Sequence, residues 1–130
     1  MQVESTSLAD TLNFNSLIKA IGDERVKEYY LLNNEKFSGL AVEYQMAEDG
    51  RWSFVYTFED GVMQRLDVYG VNDYRHRFVE MRNGYEYHTV MYHRNGERYL
   101  EEFYDRNKES IGTWKRWDKD GKLVWKKEFD

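Results

Sequence analysis

The chain contains no cysteine and no proline. The first absence removes a disulfide framework and thiolate metal ligation, and it fits a reducing compartment such as the cytosol. The second leaves turn-making to glycine, asparagine and aspartate. No basic-then-apolar start resembles a signal peptide, and no apolar run is long enough to cross a bilayer, so a soluble cytoplasmic protein is expected. A basic excess is also missing. The formal charge is −5, with 5 basic against 11 acidic side chains in residues 1–60 and 14 against 13 in residues 61–130. An acidic chain repels phosphate backbones and anionic lipid, which argues against nucleic acid and membrane partners. It would steer a basic protein instead, although solubility alone also favours mild acidity. No G-x-S-x-G elbow, P-loop or G-x-G-x-x-G is present.

What the chain does have is aromatic side chains and regular turns. Aromatics make up 17% of residues, with eleven Tyr, seven Phe and four Trp. Such residues favour pleated, half-buried surfaces. Asp49-Gly50, Asp60-Gly61, Asn83-Gly84, Asn95-Gly96 and Asp120-Gly121 follow one another at intervals of 11, 23, 12 and 25 residues. One strand and one tight turn take about twelve residues, so this spacing predicts an antiparallel meander. In one domain spanning 1–130, Ser5–Ile21 reads as an amphipathic helix within an N-terminal segment 1–22. Leu8, Leu12, Phe14, Leu17, Ile18 and Ile21 recur there at helical spacing, and Gly22 is the stop. About nine short strands follow over residues 26–130, starting with Val26–Leu32 and a turn through Asn33–Lys36.

Three-residue loops ending in left-handed glycines would place the apolar sets on one face. Glu48-Asp49-Gly50 would pair Met46 with Trp52, Tyr44 with Phe54, Val42 with Tyr56 and Leu40 with Phe58. Glu59-Asp60-Gly61 would pair Phe58 with Val62, Phe54 with Leu66 and Trp52 with Val68. Arg94-Asn95-Gly96 would match Met91 with Tyr99 and Tyr87 with Phe103. Lys119-Asp120-Gly121 would match Trp117 with Leu123 and Lys115 with Trp125. Loop geometry at Gly70–Asp73 and Arg106–Ser110 is not readable. Tyr69, Tyr92, Tyr104 and Trp114 would share the opposite, charged face. Too few apolar groups lie there for a sandwich, so a curved single-layer or partly rolled sheet is expected, its concave side plugged by the helix.

The phrase Ile111-Gly112-Thr113-Trp114-Lys115-Arg116-Trp117-Asp118-Lys119-Asp120-Gly121-Lys122-Leu123 resembles the G-x-W and G-K-L pattern of the MORN-variant repeats in bacterial YwqK-type antitoxins. Phe37-Ser38-Gly39-Leu40-Ala41-Val42-Glu43-Tyr44 is similar to the opening of that repeat, and Tyr92-His93-Arg94-Asn95-Gly96 to its turn. The likeness covers residues 26–130. It departs at Tyr69–Arg77, where the turn glycine is displaced to Gly70, and at Asn107-Lys108, where lysine replaces glycine. The resemblance implies a MORN-like fold and a stoichiometric inhibitor or immunity-type protein that binds a toxin and catalyses nothing. It carries over no binding residue.

Catalytic and metal chemistry find little support in the residues. His88 and His93 are separated by an odd number of positions on one strand and face apart. The expected register places His76 across from Val90, beside His88, and a two-His site with Glu102 would follow from it. The paired carboxylates Glu101-Glu102, Glu59-Asp60 and Glu48-Asp49 point apart or sit in turns, whereas acid–base work needs them convergent. Gly112-Thr113-Trp114 matches the lipocalin G-x-W but lies at the wrong end of the chain. Basic residues interleave with aromatics at Tyr74–Phe78 and Trp114–Trp117, the alternation of any amphipathic strand. The expected function is a non-catalytic protein-binding module, with no cofactor, metal or catalytic residue. Candidate partner-binding residues are Glu28, Glu35, Glu43, Glu48 and Glu59, with Asp23 and Glu24, for steering a basic toxin domain. Tyr69, Tyr92 and Tyr104 would anchor it. The alternatives are a calycin-like barrel around a hydrophobic ligand and a MORN-type structural scaffold.

Overall fold

A computed structural model describes residues 12–22, 26 and 28–130. In chain order its elements are β1 (Leu12–Asn13), a 3-10 turn (Phe14–Ser16), β2 (Ile18–Ile21), β3 (Glu28–Leu32), β4 (Glu35–Lys36), β5 (Gly39–Ala47), β6 (Gly50–Glu59), β7 (Val62–Tyr69), a second 3-10 turn (Val71–Asp73), β8 (Arg75–Arg82), β9 (Tyr85–Tyr92), β10 (Arg98–Tyr104), β11 (Ser110–Trp117) and β12 (Leu123–Phe129). Strands β5 to β12 lie side by side in chain order, and β1 joins outside β5 to complete a nine-stranded sheet. Strands β2, β3 and β4 form a separate three-stranded sheet. The two ends of the large sheet do not pair with each other, so the meander stays open and no calycin-like barrel closes.

Over the described part of the expected N-terminal helix the chain instead forms β1, a 3-10 turn and β2, and there is no α-helix among the described residues. Residues 5–11 of that expectation lie outside the described residues. Leu12, Phe14 and Leu17 are apolar because they pack on the core, which an extended chain with one tight turn also achieves. The Asn13 side chain caps that turn, accepting from the Asn15 amide at 2.8 Å. Asparagine at such a position competes with helix by bonding its own backbone.

Strand pairing follows the expected order with a different register. Ala47 pairs with Gly50, so only Glu48 and Asp49 form the first turn. Gly50, at φ +129°, is the first residue of β6 and not the third residue of a loop. Tyr44 then lies opposite Ser53 and Phe54 opposite Glu43, so Tyr44 and Phe54 point to opposite faces. The four pairings expected across this turn are overturned. Exposure agrees: Met46 is 77% exposed and Phe58, on the other face, 3%. The next turn is also two-residue, Asp60-Gly61, and a bulge at Thr57/Phe58 brings Phe54 opposite Val68 and Tyr56 opposite Leu66. The expected face holds while the partners move. A bulge between Arg98 and Leu100 likewise sets Leu100 opposite Met91 and Phe103 opposite His88. Trp117 does meet Leu123, but a bulge puts Arg116, not Lys115, opposite Trp125. Each bulge adds one unpaired residue, and nothing in the glycine spacing marks it.

The core lies where the small sheet covers one face of the large one, hereafter the inner face. Ala41, Tyr56 and Phe58 are buried there against Leu12, Phe14, Leu17, Tyr30, Phe37, Phe54, Met63 and Leu66. Phe14 stacks on Tyr56 with ring centroids 4.0 Å apart, and Tyr30 tilts onto Phe58 at 4.9 Å. Ala41, only a methyl, leaves room for these rings. The β6–β7 turn locks the two sheets together. Gly61 N donates to Phe37 O and Tyr30 N donates to Gly61 O, both at 2.7 Å, while Asp60 N donates to Ser38 Oγ at 2.8 Å. The large sheet also curls toward the inner face. Arg94, at the β9 end, lies over the Tyr74 ring at 4.8 Å and reaches Asp49 at 3.5 Å, although β6 and β9 are three strands apart. A flat sheet would separate those strands by roughly 14 Å.

Three consecutive hairpins share one loop design, including the junction that the sequence left open. His93, Asp105 and Asp118 each receive a carbonyl-directed amide bond from the residue three positions on and donate to the carbonyl four positions on. Oδ1 of Asp105 accepts from the amides of Asn107 and Glu109, and Oδ1 of Asp118 from those of Asp120 and Lys122. The left-handed corner is Gly96 in the first loop and Gly121 in the third, but Lys108 at φ +68° in the second. A Cβ at that corner costs about 1 kcal/mol. Lys108→Gly is therefore expected to stabilise the protein by about 0.5–1 kcal/mol, read as a higher urea midpoint at unchanged slope.

Candidate functional site

The residues expected to bind a partner do not form one patch. Glu28 on β3 pairs with Lys19 at 3.4 Å, and Glu35 is exposed on β4. Glu43 accepts a hydrogen bond from the Tyr56 hydroxyl at 3.0 Å, while Glu48 in the β5–β6 turn and Glu59 at the end of β6 are exposed. Burial, with the Glu43 bond and charge behind it, pushes the Tyr56 phenol well above its ordinary range, so it stays a neutral donor. Asp23 and Glu24 lie outside the described residues. The tyrosines divide between the faces, against expectation. Tyr104 and Trp114 are on the inner face, ring centroids 5.3 Å apart, with Tyr104 Oη donating to Glu102 Oε1 at 2.6 Å. Tyr69 and Tyr92 are on the outer face beside Arg75, which pairs with Tyr69 across the strands and lies over the Tyr92 ring at 5.8 Å.

Those two tyrosines border a charged network that the sequence reading missed. Asp67, 7% exposed, accepts from Arg65 Nε at 2.7 Å and Arg65 Nη2 at 3.0 Å, and pairs with Arg75 Nη2 at 3.3 Å. The bond to Asp67 is the main reason the Arg65 guanidinium is held above its usual range. Arg65 also lies over the Phe78 ring at 4.5 Å. Beside it, His88 Nε2 is 2.8 Å from Glu101 Oε2 and His88 Nδ1 3.4 Å from Glu80 Oε1, and the ring stacks flat on Phe103 at 4.4 Å. Facing alternation could have revealed Arg65 and Asp67 as same-side neighbours, but it could not have paired Glu80, His88 and Glu101 without the bulges. The charges here are matched and satisfied, a self-contained brace across β7–β10.

The histidines are kept apart. His88 bonds Glu101, not Glu102, and His76 sits edge-on to Trp52 with centroids 4.7 Å apart. It is Phe78, not His76, that faces Val90. His93 Nε2 lies 2.9 Å from the Trp117 carbonyl. Among the described residues, no three His, Asp or Glu side chains converge as a metal-holding group. Burial first, then the charges of Arg77 and Arg94, lowers the His76 pKa. The unfolded chain thus takes up this proton more readily, and the His76 contribution to stability is present above pH about 6.5 and lost as pH falls through the depressed folded value. His76→Gln is expected to flatten that part of the stability–pH curve, as measured by urea midpoints between pH 5 and 7.5.

The last strand leaves an edge and a run of three apolar side chains open. Among the described residues, β12 pairs only with β11, leaving its other edge without a strand. Leu123, Val124 and Trp125 are 45%, 59% and 40% exposed. On the outer face Lys126 stands directly opposite Lys115. Like charges in that position are destabilising. On the inner face, Arg116 lies over the Trp125 ring at 5.1 Å and Lys127 over Phe129 at 5.0 Å. No helix of the described residues is long and apolar enough to cross a membrane. No protein-family model, no curated protein and no solved structure matches this chain.

Proposed function

We propose that the chain is a non-catalytic protein-binding module, of immunity or antitoxin type, that neutralises a toxin domain in the cytoplasm by direct binding. The observation that carries the binding reading is β12: a seven-residue edge strand with three exposed large apolar side chains. Long, apolar, uncovered edges are aggregation hazards in a protein that works alone. The antitoxin part rests on the resemblance to MORN-variant repeats, whose implied ribbon of hairpins agrees with the sequential order of β5 to β12. The acidic first half supports steering of a basic partner at a distance, while its scattered carboxylates speak against a single acidic patch. Co-expression with toxin domains encoded beside the gene tests the reading. The expected result is growth rescue and a one-to-one complex that survives size-exclusion chromatography. The absence of both rescue and a complex, for every one of those domains, overturns it.

A further inference from the structure

We infer that the free edge of β12 takes an additional antiparallel strand from the partner protein, and that this strand carries adjacent acidic residues followed by apolar ones. The inference rests on the binding reading and names the contact. Strand addition is a common recognition mode, in which backbone bonds give affinity and alternate side chains give selectivity. The seven residues Leu123–Phe129 offer roughly 24 Å of edge.

The side chains decide what can add there. A second copy is disfavoured by charge. Centring two antiparallel β12 strands on each other puts Lys126 opposite Lys126, and a one-residue slip puts Lys126 opposite Lys127. Edge lysines serve this guarding role in many sheets. An acidic strand turns the same charges into attraction. Adjacent carboxylates would face Lys126 on the outer side and Lys127 on the inner side, and the first would also relieve the Lys115–Lys126 opposition. The residues next along would lie against Trp125 and Val124, the exposed apolar pair. The contact chemistry is thus opposite in sign to the long-range steering expected from the acidic first half.

A capped hexapeptide, threonine-glutamate-glutamate-valine-valine-threonine, is the probe, with a version carrying lysines for glutamates as control. Titration is followed by intrinsic tryptophan fluorescence and by backbone amide exchange of residues 123–129. The expected result is saturable binding of the acidic peptide, slowed exchange along β12, and weaker binding of the basic one by about tenfold. In a K126E/K127E variant, which leaves these exposed positions free to fold as before, the preference is expected to invert. Equal binding of both peptides, no protection along β12, or an unchanged preference in the variant overturns the proposal. So does concentration-dependent dimerisation of the wild type that K126E/K127E alters, because the edge would then serve a second copy. The two readings can fail separately. Acidic-peptide binding with no toxin partner sinks the antitoxin reading alone, and a one-to-one toxin complex indifferent to K126E/K127E sinks the edge alone.

Discussion

Phe58→Ala is expected to destabilise the protein by about 3–5 kcal/mol, the usual range for emptying a buried aromatic site. Phe58 is 3% exposed and packs its ring against Tyr30, Phe37 and Phe14, with centroids 4.9, 5.7 and 6.3 Å away. These partners come from the small sheet and the segments that flank it, so the ring is the main apolar tie between the two sheets. Its loss leaves a cavity that neither backbone can fill without breaking ladder bonds. Thermal unfolding should fall by on the order of 10 °C or more. Phe58→Leu keeps most of the volume and should cost far less, about 1–1.5 kcal/mol. If both substitutions cost the same small amount, the small sheet is not held in the way described.

Gly61→Val should be of similar size, for a different reason. Gly61 has φ +81°, and a Cβ there would stand 3.1 Å from Lys36 Cβ and 3.2 Å from the Tyr30 carbonyl oxygen. The backbone conformation alone costs about 1–2 kcal/mol, more for a β-branched residue, and the carbonyl cannot yield without straining the bond it accepts from Phe37 N. A total of about 3 kcal/mol or more is expected. The diagnostic measurement is amide exchange. Tyr30 and Phe37 should lose protection ahead of the β8–β10 strands, whereas uniform loss would show that the turn is not a separate clasp.

Much of the fold is legible in the sequence because hairpins are local. Asn83-Gly84 and Asp60-Gly61 form two-residue turns with both φ positive, and Asn95-Gly96 and Asp120-Gly121 close three-residue loops, at the places their spacing indicates. What was hidden depends on single-residue offsets. Gly50 extends β6 where a corner was expected, and that one difference sends Tyr44 to the face opposite Phe54. The bulges at Thr57/Phe58 and near Tyr99 are equally silent. The segment around Phe14 misleads because a chain making one sharp turn over a core can bury every third or fourth residue, as a helix does. The candidate edge was partly readable: Leu123-Val124-Trp125-Lys126-Lys127 stands out in composition, but only strand order places it at a border.

A sheet whose neighbours in space are neighbours in sequence has a kinetic consequence. Every pairing from β5 to β12 closes a short loop, so assembly needs no distant segments to meet and should be quick for an all-β chain of this size. The same arrangement limits how far a disturbance travels, since each ribbon feels mainly the two beside it. Detachment of the final ribbon should therefore be a low-energy fluctuation that leaves the Tyr56–Phe58 region intact. A partner capturing that ribbon would then raise the melting temperature of one end of the molecule before the other.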